Sequence, residues 1–544
     1  MKKAVLFFII FTVGIGLAFF GLDFLLAKKI DKLINENPER QYDLLFENVD
    51  VNILRGRVEL KHILLDPLEE GLPVEITGSV EQIIFSSLSI WDLIFNNAVD
   101  ISEIKLINPS FRLIKIDSLS NLQDNSKAFQ NLFGDLISRG IVRDFVLEGG
   151  KAELLIQEDS LRSFGFFTDL FIHAKGLKTD KRIVTHVVPF ELNQIQTGLK
   201  NLFLQMNSKQ SIKIGAIDFD FLNESLSFQN VAMRYDQDIE KISFDEKYQK
   251  DLIEFELREL NFVGLDAESD LYGNWSIIAD KMILDSLIFT DVRNKNKPRD
   301  KEIKKPMFAG MLSGIPIPLQ IDTLQIRNSH LTYIEIPEGH SKGPKISFEK
   351  FHADIYGVIS IDSLRRSKEM TMEVKTEFLG QTPIQANFTV PYNQELFKMN
   401  LNLGAMDLTI LNPIIEPMAA LRVESGKLRK LSLQMDSWEV ASNNQMVFDY
   451  EGLKLEVLKD GTSKQKNSLL SVIGNIAIRS ENLPEKKNYR IANYQTKRNV
   501  YRSPFNFIWE STKGGLQEIT PGGLTKLLTG RKDSEGKQEK NQKK

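Results

Sequence analysis

Apolar and polar residues alternate over short stretches along most of the chain from Val49 onward. Clear examples run from Ser211 to Phe221 and from Pro344 to Phe348. A period of two gives a strand one apolar face and one polar face. The pattern therefore predicts a mainly β protein, with helical periodicity in only a few places.

Four segments repeat a single spacing, in which two apolar residues two positions apart are followed, five positions after the second, by another such pair. The sets are Ile104, Leu106, Phe111 and Leu113; Phe145, Leu147, Ala152 and Leu154; Phe219, Phe221, Leu226 and Phe228; and Leu324, Ile326, Leu331 and Tyr333. A step of five is odd, so one uninterrupted strand would place the two pairs on opposite faces.

A hairpin with a two-residue loop would return both pairs to one face, with Leu106 opposite Phe111. Its loops would be Asn108-Pro109, Gly149-Gly150, Asn223-Glu224 and Asn328-Ser329. Glycine and asparagine suit the positive φ that such turns need, whereas Pro109 fixes φ near −65° and predicts a wider loop or a bulged corner in its copy. The alternative is a chance match in a chain rich in alternating strands.

Two segments have helical periodicity. One places apolar residues at Ala128, Phe129, Leu132, Phe133, Leu136 and Ile137, ahead of a glycine stop at Gly140. The other runs through Phe505, Ile508, Trp509, Thr512 and Leu516 after Ser503-Pro504, a typical N-cap and first-turn pair. The second helix would either cap the end of the sheet or lie at a membrane interface.

The N-terminal segment predicts a membrane anchor over residues 1–29. Nineteen residues without a charge, Ala4 to Leu22, follow Lys2-Lys3. At about 1.5 Å per residue they span roughly the 30 Å hydrocarbon core of a bilayer. A cleaved signal peptide is the alternative, but the run is long for one and no A-x-A-like site follows it. All later residues are then expected on one side of the membrane.

Composition removes several function classes. The 69 basic and 73 acidic residues nearly cancel, which disfavours a nucleic-acid partner. The chain has no cysteine, so disulfides, thiolate metal sites and thiol nucleophiles are absent. Its six histidines are scattered, and no hydrolase or phosphate-loop motif occurs. We therefore predict no catalytic residue, no metal and no cofactor, although dispersed carboxylates leave a weaker enzyme hypothesis open.

Polar stretches suggest the boundaries of the domains. The predicted regions are an anchor (1–29), an N-terminal β-region (30–291), a basic linker (292–306), a C-terminal β-region (307–500), an amphipathic helix region (501–525) and a basic, disordered tail (526–544).

The chain resembles the AsmA-like proteins of Gram-negative envelopes, in particular their Bacteroidota-type members. The resemblance rests on the N-terminal anchor together with degenerate motifs in residues Glu47–Pro67, Ser86–Lys115, Leu408–Asp436 and Arg502–Leu516. It implies a single-pass inner-membrane protein with its bulk in the periplasm, built as an elongated, twisted antiparallel β-sheet or groove. It also implies a role in moving phospholipid between the two membranes and in outer-membrane integrity.

On this reading, the lining of a lipid groove would be the same-face members of the repeated segments and of one further strand. The predicted lining residues are Ile104, Leu106, Phe111, Leu113, Phe145, Leu147, Phe219, Phe221, Leu226, Phe228, Leu324, Ile326, Leu331, Tyr333, Ile346, Phe348, Phe351 and Ile355. Periodicity alone does not separate an open groove from a closed, dry core. The alternative function is an inner-membrane-anchored scaffold that binds outer-membrane or envelope proteins through exposed sheet edges.

Overall fold

The computed structural model describes residues 42–52, 55–67, 74–87, 99–116, 140–157, 160–177, 194–269, 275–300, 303–315, 318–360, 368–458 and 478–521. The predicted anchor, the predicted helix at 128–137 and the predicted tail lie outside these residues. No helix within the described ranges is long and apolar enough to cross a membrane.

In the described part of the chain, 21 strands form one mostly antiparallel sheet, which confirms the mainly β prediction and is consistent with a β-groove protein. The strands are β1 (Tyr42–Asn52), β2 (Arg57–Pro67), β3 (Val74–Ser86), β4 (Val99–Ile107), β5 (Ser110–Ile116), β6 (Gly140–Gln157), β7 (Leu161–Leu177), β8 (Gln194–Asn207), β9 (Gln210–Asp220), β10 (Ser225–Tyr235), β11 (Asp251–Ser269), β12 (Trp275–Asn294), β13 (Leu319–Ile336), β14 (Lys345–Ile359), β15 (Glu369–Phe378), β16 (Thr382–Pro391), β17 (Lys398–Leu403), β18 (Met406–Asp407), β19 (Leu421–Trp438), β20 (Ala441–Val457) and β21 (Ala492–Lys497). The α-helices within the same ranges are α1 (Ile239–Ile242), α2 (Phe308–Ser313), α3 (Asn412–Ala419) and α4 (Pro504–Ile519), with a 3₁₀ turn at Leu408–Leu411.

The chain divides into two compact units. Unit 1 comprises Met1–Asp236 and Arg258–Ala279, and unit 2 comprises Gln237–Leu257 and Asp280–Lys544. All four described α-helices belong to unit 2. The predicted domain boundaries stay predictions; the structure places Val292 to Asn294, the first residues of the predicted linker, in β12.

Unit 1 is a ladder of neighbouring strands. β1 pairs with β2, β2 with β3, and β3 with both β4 and β5. β4 and β5 then pair in parallel with β6, and β6 to β10 continue as antiparallel neighbours. The first two repeated segments are therefore parallel neighbours, with Ile104 beside Phe145 and Leu106 beside Leu147.

The predicted hairpin at Asn108-Pro109 is wrong. Ile107 lies beside Gln82 and Ser110 beside Ser79 on the same strand, β3, so β4 and β5 are two halves of one extended strand. Asn108 has a φ of 49°, and its N–H donates to the Glu148 carbonyl at 2.8 Å. The three steps from Ile107 to Ser110 match three steps on β3, so the interruption is a positive-φ residue inside a continuous ladder and not a turn.

The hairpin prediction also fails at Gly149-Gly150 and Asn328-Ser329, which lie inside the continuous strands β6 and β13. Both strands shift register there, and Gly149 and Asn328 have φ of 68° and 52°. Only the segment at Asn223-Glu224 is a hairpin, joining β9 to β10, but its turn is wider than predicted. Leu226 consequently lies opposite Phe219 instead of Phe221.

Positive-φ residues form a line across unit 1. They lie on β6, β7, β8 and β10 as well as between β4 and β5, at Asn108, Gly149, Asp169, Asn201 and Asn230. The register aligns Asn201 with Gly215 of β9, and Gly215 with Asn230. The positive-φ residues of neighbouring strands in unit 1 thus lie at the same level of the sheet.

Unit 2 is antiparallel from β13 to β17, and then through β19, β20 and β21. Helices pack on its strands: α2 contacts β16, α3 contacts β14 and β19, and α4 contacts β20 and β21. The inward side chains beneath α4 are fully buried, among them Leu433, Met446 and Tyr450 at 0% exposure. This end of unit 2 has a closed core.

Candidate functional site: the apolar face of the sheet

The register of unit 1 places apolar side chains on one face, because directly paired residues of neighbouring strands lie on the same side of a sheet. Ile104, Leu106, Phe145 and Leu147 belong to one buried cluster with side chains of β2 and β3, and Phe111 and Leu113 pack beside Leu65 and Ile76. The structure thus brings six of the predicted lining residues together.

The same face continues over β8, β9 and β10. On β8, Leu199 lies opposite Ile217 of β9, and Leu202 lies opposite Ile214. On β10, which is the other neighbour of β9, Phe228 also lies opposite Ile217. A step of three at each bulge, as from Leu199 to Leu202, keeps the apolar series on one side. Phe221 does not take part: it lies in the turn after β9 and is 51% exposed.

Most of this part of the face is half-buried. Leu199, Leu202, Ile217, Phe219 and Phe228 keep intermediate exposure, whereas Ile214 and Val231 are buried. In unit 2, helix α4 forms a second layer on β20 and β21. The described residues of unit 1 include no helix that could form such a layer.

In unit 2 the predicted lining residues also share a face. Leu324 lies opposite Ile355, Leu331 opposite Phe348, and Tyr333 opposite Ile346. A bulge at Lys350, with φ 46°, keeps Phe351 in the same series as Phe348, and the Phe348 ring lies 5.9 Å from that of Phe378 on β15. Ile326 pairs with Ala353 in the same ladder. Contact of any of these residues with lipid stays a prediction.

The opposite face of unit 1 carries ion pairs instead of apolar rows. Lys61 contacts Asp50 at 2.6 Å and Lys105 contacts Glu148 at 2.8 Å, each between neighbouring strands. The Asn108 amide donates to Glu81 at 2.7 Å on the same side. These exposed pairs add little stability individually, but they mark the solvated face.

A buried charged cluster lies at one end of β11, β12 and β13 in unit 2. Arg293, almost fully buried, contacts Asp251 at 2.8 Å, while the Tyr333 hydroxyl donates to Glu335 at 2.8 Å. Lys295 also pairs with Glu335. Burial, reinforced by the charge of Asp251 and opposed by Arg293, raises the pKa of Asp291 to about 7.

Two acidic residues of this cluster are paired. Asp251 contacts Arg293 and Glu335 contacts Lys295, so these ion pairs tie neighbouring strands together. The absence of a catalytic residue stays a prediction. In the described ranges, no group of three histidine, aspartate or glutamate residues has the geometry to hold a metal ion. His330 lies on β13, where its ring contacts the Thr332 hydroxyl at 3.1 Å.

Sequence reasoning missed most of the apolar face in β8 to β10. The omitted residues are Leu199, Leu202, Leu204, Ile212, Ile214, Ile217, Val231 and Met233. A usable signal was present, since each of these strands shows an apolar period of two interrupted by one step of three at an Asn or Gly. Treating that step as a bulge would have found them.

Neither the protein-family models nor the curated proteins include a match to this sequence.

Proposed function

We propose that this protein is a non-enzymatic envelope protein that binds phospholipid acyl chains on the apolar face of its sheet and conducts them between the inner and outer membranes. The observation that supports the proposal is the apolar face of β8, β9 and β10, most of which is half-exposed and which bears no charged side chain at its paired positions from Leu199 to Val231. The choice of the inner and outer membranes, and the periplasmic location, rest on the resemblance to AsmA-like proteins.

The physical reason is the cost of leaving such a face in water. Monomeric soluble proteins rarely expose contiguous apolar patches larger than a few hundred Å². Each lipid CH₂ buried against the face contributes about 0.8 kcal/mol, whichever residues it touches. Many similar, weak contacts allow an acyl chain to move across the face from strand to strand, since no single position holds it.

Photo-cross-linking tests lipid contact with little disturbance of the fold. A photoreactive phenylalanine analogue at Phe228 is expected to cross-link co-purified or added phospholipid, because this side chain lies on the apolar face opposite Ile217. The matched control places the same analogue at Gln229, the next residue of β10, which is exposed on the other face. Equal labelling at both positions, or none at Phe228, would contradict the proposal.

Native mass spectrometry of residues 31–544 without detergent gives the second measurement. We expect bound phospholipid in the unmodified protein and about tenfold less in the I217D/F228D variant, since a charge is poorly tolerated beside acyl chains. The control is K213D/Q229D, which adds acids to the opposite face of β9 and β10. Protein that is folded but free of lipid would favour the scaffold function, in which the sheet binds envelope proteins through its edges.

A further inference from the structure

Helix α4 presents a second apolar surface that the sheet does not use. Its buried side consists of Pro504, Phe507, Ser511, Gly515 and Ile519. Phe505, Ile508, Trp509, Thr512 and Leu516, at spacings of three and four, form a separate stripe that we name the α4 patch. Phe505 is 62% exposed and Trp509 is 49% exposed.

The α4 patch is held rigidly outward. The Tyr494 hydroxyl donates to the Ser511 carbonyl at 2.6 Å, and Gly515 lies so close to Met446 and Tyr494 that the helix is seated directly on β20 and β21. The Thr512 hydroxyl donates to the Ile508 carbonyl at 2.9 Å, so it is satisfied within the helix. The stripe is therefore apolar along its whole length.

A neighbouring helix continues this surface. The Phe505 ring meets that of Phe308 edge-on, with ring centroids 5.4 Å apart. Met311, one turn farther along α2, is 46% exposed. Two short helices of unit 2 thus present aromatic and flexible apolar side chains to the outside of the unit.

The residues that follow α4 are basic. Residues 522–544 contain seven Lys/Arg against three Asp/Glu, a net charge of +4 (7 − 3), although the whole chain is slightly acidic. Basic residues that follow an apolar helix in the sequence are attracted to anionic lipid headgroups, and tryptophan is favoured at the headgroup level. The patch offers five side chains, far fewer than the roughly 20–30 residues per side of a standard protein interface.

We propose that the α4 patch docks unit 2 on an anionic phospholipid bilayer surface. The helix thereby combines the two roles that its sequence left as alternatives: the side bearing Phe507 caps the sheet, and the side bearing Trp509 contacts the bilayer. Docking is separate from acyl-chain conduction and would hold even if the apolar face of unit 1 carried no lipid.

The experiment uses the full chain in phosphatidylcholine nanodiscs, mixed with dense phosphatidylcholine vesicles that contain or lack phosphatidylglycerol. We expect the nanodiscs to sediment with the phosphatidylglycerol vesicles, and the F505S/W509S variant to bind about tenfold more weakly, because two partly exposed aromatic side chains no longer enter the interface. The matched control is W438S, at an exposed tryptophan of β19 in the same unit. Unchanged thermal melting shows that α4 stays seated.

Three results would overturn the proposal: equal binding to both kinds of vesicle, undiminished binding of F505S/W509S, or an equal loss in W438S. A second measurement needs no destabilising change. In the W91F/W275F/W438F background, Trp509 is the single remaining tryptophan, and we expect brominated phosphatidylglycerol in the vesicles to quench its fluorescence. Unquenched Trp509 fluorescence in the presence of bound vesicles would also contradict docking through this patch.

Discussion

Asn108 lies between β4 and β5, and Gly149 lies beside it on β6, the parallel neighbour of both strands. Both have positive φ, and a Cβ on Gly149 would lie 2.2 Å from the Asn108 side-chain oxygen. Gly149→Ala therefore meets two penalties, backbone strain and this contact. We expect it to lower the free energy of unfolding by about 2–4 kcal/mol, measured by urea unfolding.

A double-mutant cycle separates the two penalties. Asn108→Gly removes the contacting side chain and suits the positive φ, so Gly149→Ala in that background should lower the free energy of unfolding by only about 1–2 kcal/mol. An equal loss in both backgrounds would show that the 2.2 Å approach carries no energy.

Asp291 makes the stability of unit 2 depend on pH. Its pKa rises from 3.8 to about 7 because it is buried and lies near Asp251. The folded state then binds more protons than the unfolded state between these values, so stability is fully present below about pH 4 and falls as pH rises through about 7. Asp291→Asn should remove this dependence and stabilise the protein at pH 8 by about 2 kcal/mol.

Urea unfolding midpoints at pH 5 and pH 8 test this expectation. The matched control is Asp322→Asn, at an exposed aspartate of β13, which should change both midpoints little. If Asp291→Asn and the unmodified protein lose the same stability between the two pH values, Asp291 is not the group responsible.

At the residue scale, the sequence predicted which side chains share a face but not how. The spacing places Ile104, Leu106, Phe111 and Leu113 on one side, and they lie there. The intervening Asn and Gly predict turns because both residues favour positive φ, yet type I′ turns and bulges need the same conformation. Local sequence could not separate them, because the choice depends on the partner strand, here β3, which spans both halves.

At the element scale, α4 shows how a helix can be predicted without its orientation. The N-cap position at Ser503 and the first-turn proline were correct. The apolar stripe through Trp509, however, is not the side that meets the sheet. Small residues decide the seating, since Ser511 and Gly515 allow close approach to β20 and β21. A hydrophobic pattern is read from large apolar side chains, so it does not predict a contact made by small residues such as Ser511 and Gly515.

Two adjacent glycines of α4 give a matched test of this seating. A Cβ on Gly515 would lie 2.7 Å from the Tyr494 hydroxyl, which is already fixed by its bond to Ser511, whereas one on Gly514 would lie 3.0 Å from the Tyr494 ring edge. Gly515→Ala should therefore destabilise the docked helix by about 1–2 kcal/mol and raise amide exchange throughout α4. Gly514→Ala should change the exchange less, because the gain in helix propensity offsets its milder contact.

At the scale of the whole molecule, the alternating pattern was enough to predict a long, mostly antiparallel sheet, because period two was repeated over hundreds of residues. It could not predict where that sheet is covered. Helices α2, α3 and α4 cover strands of unit 2, and their seating depends on long-range contacts such as the Phe308 ring with those of Phe388 and Phe397. Coverage decides whether an apolar face is a core or a binding surface.

Conduction along a face differs from storage on it, and the difference is measurable. A charge at Ile217 and Phe228 interrupts the face within β9 and β10 but leaves the apolar residues of β1 to β7 intact. We expect I217D/F228D to abolish phospholipid transfer between donor and acceptor vesicles while the protein still labels lipid from a photoreactive group placed at Phe111. I217L/F228L, which keeps the face apolar, should transfer normally. A continuous path fails when it is interrupted at one place, whereas separate binding sites are lost one by one. If transfer falls only in proportion to the bound phospholipid, the binding positions are independent and the face does not conduct.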